Sequence, residues 1–374
     1  MTRFFKAVLP VAISAMLFIS ACDKSLNFIE KSTKGEASEP SQTQSQKASE
    51  SKPEATQAEN EVKKQGSAAH IDVSQVKPNE AGSIMVVMFH NFIDEYKSGD
   101  KEYTTTFDDF RKLLPKLYEK GYRLINVNDY LSNNINVPAG CIPMMFTFDD
   151  GTAGQFNLVE ENGRLVANKQ SAVGIMEEFN KAHPDFGLKG TFYVNLGLKT
   201  FEGKGTISER LKYLVDKGFE IGNHTYSHIS LPKAKSAQEI QREVGKNQKA
   251  MLELIPDYTM TSLALPFGQA SKELQEYVHK GEFEGIKYDN MAIMLVGANP
   301  AASPVSKSFN PLKTARVRAS GIKPVDCDLA WWVEKLSRSE QYVSDGNPDT
   351  VTVPKSNEAT VDQGKLKGKR LVTY

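Results

Sequence analysis

Between residues 83 and 296 the chain alternates short apolar runs with amphipathic stretches, and this alternation constrains its fold more than any other feature. Residues 83–89 are almost continuously apolar, as a strand covered on both faces of a parallel sheet would be. Residues 106–120 carry Phe107, Phe110, Leu113, Leu114 and Leu117 at helical spacing, with Thr106 placed to cap the start and Gly121 the end. Strands are expected at 122–127 and 144–148. A helix at 171–181, a strand at 190–194, a helix at 208–217, a strand at 219–222 and a helix at 237–253 follow. Residues 260–265 and 292–296 read as further strands, and 370–374 as a possible last one. Repeated β-then-α units predict a parallel α/β architecture, either a barrel or an open sheet.

The first 80 residues read differently. Arg3 and Lys6 precede an apolar run at 7–18 that is too short to span a bilayer, the pattern of an export signal over residues 1–21. Ile19-Ser20-Ala21-Cys22 is similar to the bacterial lipobox, in which Cys22 would become the lipidated first residue. Residues 22–80 are rich in Ser, Gln, Glu, Lys and Ala, with too little apolar surface to offset chain entropy, and are expected to form a disordered tether. The main domain is expected over 81–345 and a C-terminal tail over 346–374. These features place the chain in the cell envelope, outside the cytoplasm, anchored to a bacterial membrane through lipid alone. Acidic and basic residues number 46 each, so no basic footprint argues for nucleic acid. The protein is expected to act as a monomer. Cys141 and Cys327 remain after Cys22, and sequence leaves open whether they pair.

Three motifs fall at the carboxyl ends of expected strands, where parallel α/β folds gather their active sites. In Thr147-Phe148-Asp149-Asp150-Gly151, adjacent carboxylates at a strand end point in different directions, so one can hold a metal while the other faces a reacting water. In Gly222-Asn223-His224-Thr225-Tyr226-Ser227-His228, two of the chain's six histidines lie four apart; on a helical turn both imidazoles would share one face. Leu265-Pro266-Phe267-Gly268 is a tight turn that could expose a backbone N–H as an oxyanion donor. Each motif alone has an ordinary structural explanation, as a turn or a pair of satisfied histidines.

Together they resemble the polysaccharide deacetylase (NodB-homology) family, carbohydrate esterase family four, over roughly residues 84–332; the run Val87-Met88-Phe89-His90 and the strand Gly190-Thr191-Phe192-Tyr193-Val194 add to the likeness. The resemblance implies a distorted, incomplete (β/α) barrel. It implies that Asp149 is the catalytic base, that Asp150, His224 and His228 bind the metal, and that Pro266, Phe267 and Gly268 line the acetyl pocket, with the Phe267 backbone N–H as oxyanion donor. One carboxylate and two imidazoles leave coordination positions open, which suits catalysis; zinc fits this set, as do cobalt, nickel and manganese. The implied reaction is metal-assisted hydrolysis of acetyl groups, most simply N-acetyl, on an envelope or extracellular polysaccharide.

The chain departs from the family pattern in two places. The arginine that orients the base would fall at Ala264, and no histidine follows His279 to supply the general acid. His279 reads as a surface residue. His90, after the first strand, could face the site and is placed in the substrate pocket. Asp326-Cys327-Asp328-Leu329-Ala330-Trp331 is loosely similar to the family's Asp–Trp motif, although Trp331 reads better as a buried anchor. These gaps keep open a glycan-binding or structural lipoprotein with little turnover. The stretch 152–189 is longer than usual for the family and could shape the substrate groove.

Overall fold

The computed structural model describes residues 72–97, 103–321 and 325–374. The expected signal segment, Cys22 and most of the expected tether lie outside these residues. The described part of the tether is ordered: Val73–Val76 makes one helical turn, and Asn79 and Glu80 are buried.

Eight strands form the central sheet: β1 (Met85–Phe89), β2 (Tyr122–Leu124), β3 (Ile142–Asp149), β4 (Thr191–Val194), β5 (Glu220–Asn223), β6 (Ser262–Ala264), β7 (Ala292–Met294) and β8 (Val317–Arg318). Their order is β7-β6-β5-β4-β3-β1-β8, with β2 beside the start of β3, and all pairings are parallel. The sheet curls until its two ends meet on one short segment, where Thr314 bridges Met294 of β7 and Val317 pairs with Val87 of β1. The fold is therefore the expected distorted, incomplete barrel, its gap bridged by a seam only a few residues long.

Strand parity sorts the core. On β1 and β3, Met85, Val87, Phe89, Met144, Phe146 and Phe148 face outward. There they meet the apolar faces of helices α1 (Phe107–Glu119), α2 (Ala172–Ala182) and α3 (Ile207–Asp216). Phe89, Phe148 and Phe192 stack across three strands, with ring centroids 5.4 and 4.5 Å apart. Val86, Met145, Tyr193, Ala264 and Met294 fill the barrel interior instead. Asp149 has the same parity as Met145 and Thr147, so it continues this inner column at the carboxyl end of the barrel.

Helix boundaries follow the capping signals. Thr106 accepts the Asp109 N–H, Ser171 that of Gly174, and Ser236 that of Glu239 at the start of α4 (Ala237–Leu254). Several expectations need correction. The strand expected at 122–127 stops at Leu124, because the Asp129 carboxylate takes the Asn126 N–H and starts a short helix, Val127–Leu131. The long 152–189 stretch holds a hairpin, Leu158–Glu161 with Arg164–Ala167, before α2. Trp331, on α5 (Leu329–Lys335), is only half-buried and lies edge-on to Trp332, whose indole N–H donates to the Ala298 carbonyl. Beyond residue 346, Thr350–Val353 pairs in parallel with Arg370–Thr373, and Val351, Val353 and Val361 share a small core with Val305. Cys141 and Cys327 are free thiols.

Candidate active site

The site forms where β1, β3, β5, β6 and the closing seam end together. Asp149 is the last residue of β3; the chain then turns through Asp150, at φ +79°, and Gly151, at φ +64°. A Cβ on Gly151 would lie 2.8 Å from the Thr200 methyl, so the turn requires glycine on both counts. The turn aims the two neighbouring carboxylates differently.

His224 and His228 leave β5 in an irregular loop rather than on the helical turn considered from their spacing, since Thr225 and His228 adopt φ +63° and +55°. Buried amides fix this loop. Asn195 donates to the His224 and Thr225 carbonyls, and Asn223 accepts the Thr225 N–H. Asn247 of α4 holds Asn223 in turn, and the Glu243 carboxylate takes the Ser227 N–H and hydroxyl.

The loop brings both imidazole Nε2 atoms to 3.4 Å from Asp150 Oδ1. Among the described residues this is the one cluster of three such ligands, with all three donor atoms within 4.8 Å of one another. Ligands about 2.0–2.1 Å from a tetrahedral ion lie roughly 3.3 Å apart, so the two Asp150–histidine separations suit a shared divalent cation. His224 Nδ1 lies 2.8 Å from the Ala264 carbonyl, which favours the tautomer that leaves Nε2 free to coordinate. Ala264, which stands where the family's arginine would fall, thus contributes its backbone.

The missing guanidinium comes from Arg316, immediately before β8, a residue not singled out from sequence. Arg316 is fully buried and grips Asp149 with two parallel hydrogen bonds, Nη1–Oδ1 and Nη2–Oδ2, each 2.7 Å. Its Nε donates to the Leu295 carbonyl, and Nη1 also reaches the Thr147 hydroxyl. Such a fork over a planar carboxylate fixes both its charge and its rotation. Burial pushes the Asp149 carboxyl up, but the Arg316 charge, helped by His224 and His90, more than offsets it and holds the group well below the usual carboxylate range. The sequence signal was faint: the alternation in Ala315-Arg316-Val317-Arg318-Ala319 suits a strand, but nothing in it shows that Arg316 faces the site.

His90 does face the site. Its Nε2 lies 3.7 Å from Asp149 Oδ2, its ring packs 4.9 Å from that of Tyr103, and its buried Nδ1 makes no hydrogen bond. Burial pushes the imidazole down, and the attraction of Asp149 and Asp150 only partly opposes this. Pro266 is buried, whereas Phe267, at φ +58°, is 64 % exposed and sets its ring 4.8 Å from His228. Gly268, at φ +70°, packs where a Cβ would fall 2.4 Å from Val296 Cβ. His279 lies apart, at the surface hairpin, 3.3 Å from Asp289.

This parallel barrel sets a carboxylate–imidazole donor set beside an arginine-held aspartate, groups of the kind that hydrolases use to activate water. Residues 136–286 match the family model described as polysaccharide deacetylase. The fold is similar to the crystal structure of a Bacillus cereus polysaccharide deacetylase, at 18% identity over 68% of this chain and 69% of that one, with a TM-score of 0.51. A Bacillus anthracis protein assigned to the same enzymes matches at the same identity and coverage, with a TM-score of 0.50. No curated protein matches by sequence. Residues 136–286, the stretch that the family model matches, form a polysaccharide deacetylase (NodB-homology) domain.

Proposed function

We propose that the protein is a metal-dependent deacetylase that removes acetyl groups, most simply N-acetyl, from an envelope or extracellular polysaccharide. The observation that carries this reading is the placement of Asp149, ionised and locked by Arg316, next to the Asp150–His224–His228 donor set. Asp150, His224 and His228 would hold the ion, for which zinc is the natural choice, with cobalt, nickel or manganese able to substitute. A divalent cation there would polarise the acetyl carbonyl and acidify a water molecule.

The chain's own residues supply the rest. Asp149 takes the proton of the attacking water. The Phe267 backbone N–H donates to the carbonyl oxygen as negative charge develops on it, while Pro266 and Gly268 shape the acetyl pocket. His90, whose Nε2 lies 3.7 Å from Asp149 Oδ2, relays the proton that Asp149 took from water to the leaving nitrogen, the task for which sequence offered no late histidine. We further propose export and lipidation at Cys22, which would place the domain outside the cytoplasm on a bacterial membrane.

The test compares zinc-loaded wild type with Asp149→Asn for acetate release and for glycan binding. Losing a general base typically costs about a hundredfold to ten-thousandfold in rate, while zinc content and binding should persist because Asp149 is not a ligand. Equal turnover in both proteins would remove Asp149 from the mechanism. Glycan binding without acetate release by either protein would favour a binding lipoprotein on the same fold.

A further inference from the structure

The turn after Asp149 opens the unusually long 152–189 stretch, and its first residues pack inward beneath the site. Gly154 passes so close to the short strand Asn91–Ile93, just past β1, that a Cβ would lie 2.3 Å from the Phe92 carbonyl oxygen. Phe156 is fully buried, between Phe201 and Tyr213. The first turn of α2 seals the segment from the other side: the Ala172 and Val173 N–H groups donate to the Gly154 and Gln155 carbonyls. Backbone on both sides thus fixes residues 154–156.

The Gln155 side chain is fully buried at the centre of this arrangement. Its one amide nitrogen donates to two backbone carbonyls, that of His90 at 2.7 Å and that of Asp149. The Thr152 hydroxyl adds a long contact to the same His90 carbonyl, at 3.5 Å. The amide oxygen, Oε1, is buried and accepts nothing. Flipping the amide would set that oxygen against two carbonyl oxygens, so the donor orientation is the only one the surroundings accept. This side chain ties the backbone of the residue ending β3 to the backbone of the residue just past β1.

We propose that Gln155 is a positioning residue that sets the spacing between Asp149 and His90. It touches neither substrate nor ion, and acts by pinning the two carbonyls from which the proton-handling side chains are hung. The inference rests on the roles given above to Asp149 and His90. It also gives the start of the long stretch a purpose other than forming a groove wall.

Gln155→Met tests it, since methionine keeps the length and bulk of the side chain but lacks both donors. In the zinc-loaded protein, kcat should fall about ten- to a hundredfold, the scale expected when reacting groups shift by about an ångström. KM, zinc affinity by chelator competition, and Tm should stay near wild-type values. Gln155→Asn, one methylene shorter, should fall between the two. A crystal structure of Gln155→Met should show His90 and Asp149 farther apart than in wild type. Wild-type kcat in Gln155→Met, an unchanged spacing, or a loss of kcat matched by equal losses of zinc affinity and Tm would each overturn the inference. Asp149→Asn in the same assay keeps the two readings distinct. If Asp149→Asn is silent while Gln155→Met is unimpaired, only the positioning role fails; full activity in Asp149→Asn removes the base assignment itself.

Discussion

Arg316 leaves Asp149 one orientation and one charge. Removing it strands a carboxylate that is 1% exposed, and a buried charge without its partner is far more costly than a lost surface contact. Arg316→Ala is therefore expected to lower deacetylase activity at least a hundredfold and to reverse the pH dependence of stability in the metal-free protein. In wild type the Asp149 pKa is depressed, so its contribution is present above the ordinary carboxylate range and is lost as pH falls through the depressed value. Without Arg316, burial dominates and raises that pKa, so stability should instead decline as pH rises from about 4 towards 7. Urea midpoints measured across that range in chelator give the sign directly. Arg316→Lys offers a point charge instead of a fork and should recover only part of the activity.

At this same scale, Asp149, Asp150, His224 and His228 could be picked out from sequence as candidates, because each lies in a short motif at a strand end, and the structure brings them together. Arg316 and Gln155 could not. The first arrives from the far edge of the sheet, and the second acts through backbone carbonyls, which have no sequence signature. His90 was visible only as a residue at a strand end, and its nearness to Asp149 depends on β1 and β3 being neighbours.

Among the elements, those marked by capping residues and apolar periodicity were legible: α1, α2 and α4 begin at Thr106, Ser171 and Ser236, as those side chains dictate. Residues 122–127 misled because an apolar run of that length suits either strand or helix, and the Asn126–Asp129 contact decided it. The pair Thr350–Val353 and Arg370–Thr373 was half seen, since its first strand lies in a polar stretch and is buried against residues distant in sequence such as Val305. This pair also covers Glu80. The Glu80 carboxylate accepts the Thr352 and Asp345 N–H groups and the Tyr342 hydroxyl, close to the buried Asp345 side chain. Burial, reinforced by Asp345, pushes Glu80 up to about 8. A raised pKa means that ionisation opposes folding, so its favourable contribution is complete below the unfolded value and is lost as pH climbs towards 8. Relative to wild type, Glu80→Gln should therefore gain in Tm between pH 5 and pH 8. A difference that stays constant across that range would show that Glu80 does not titrate there.

At the scale of the whole molecule, no helix among the described residues is long and apolar enough to cross a membrane, and attachment through lipid at Cys22 is a separate proposal. Cys22→Ser should move the protein from the membrane fraction to the soluble fraction after cell lysis, and unchanged retention would exclude that anchor. The barrel's seam has a further consequence. The residues that would capture an ion all precede position 229, whereas the arginine that arms the base is added with the last strand to join the sheet. Ion capture and chemical competence are therefore separated along the chain. A molecule whose seam is unformed or clipped could still chelate a cation but would lack a poised base, so a half-built hydrolase would be inert rather than indiscriminate.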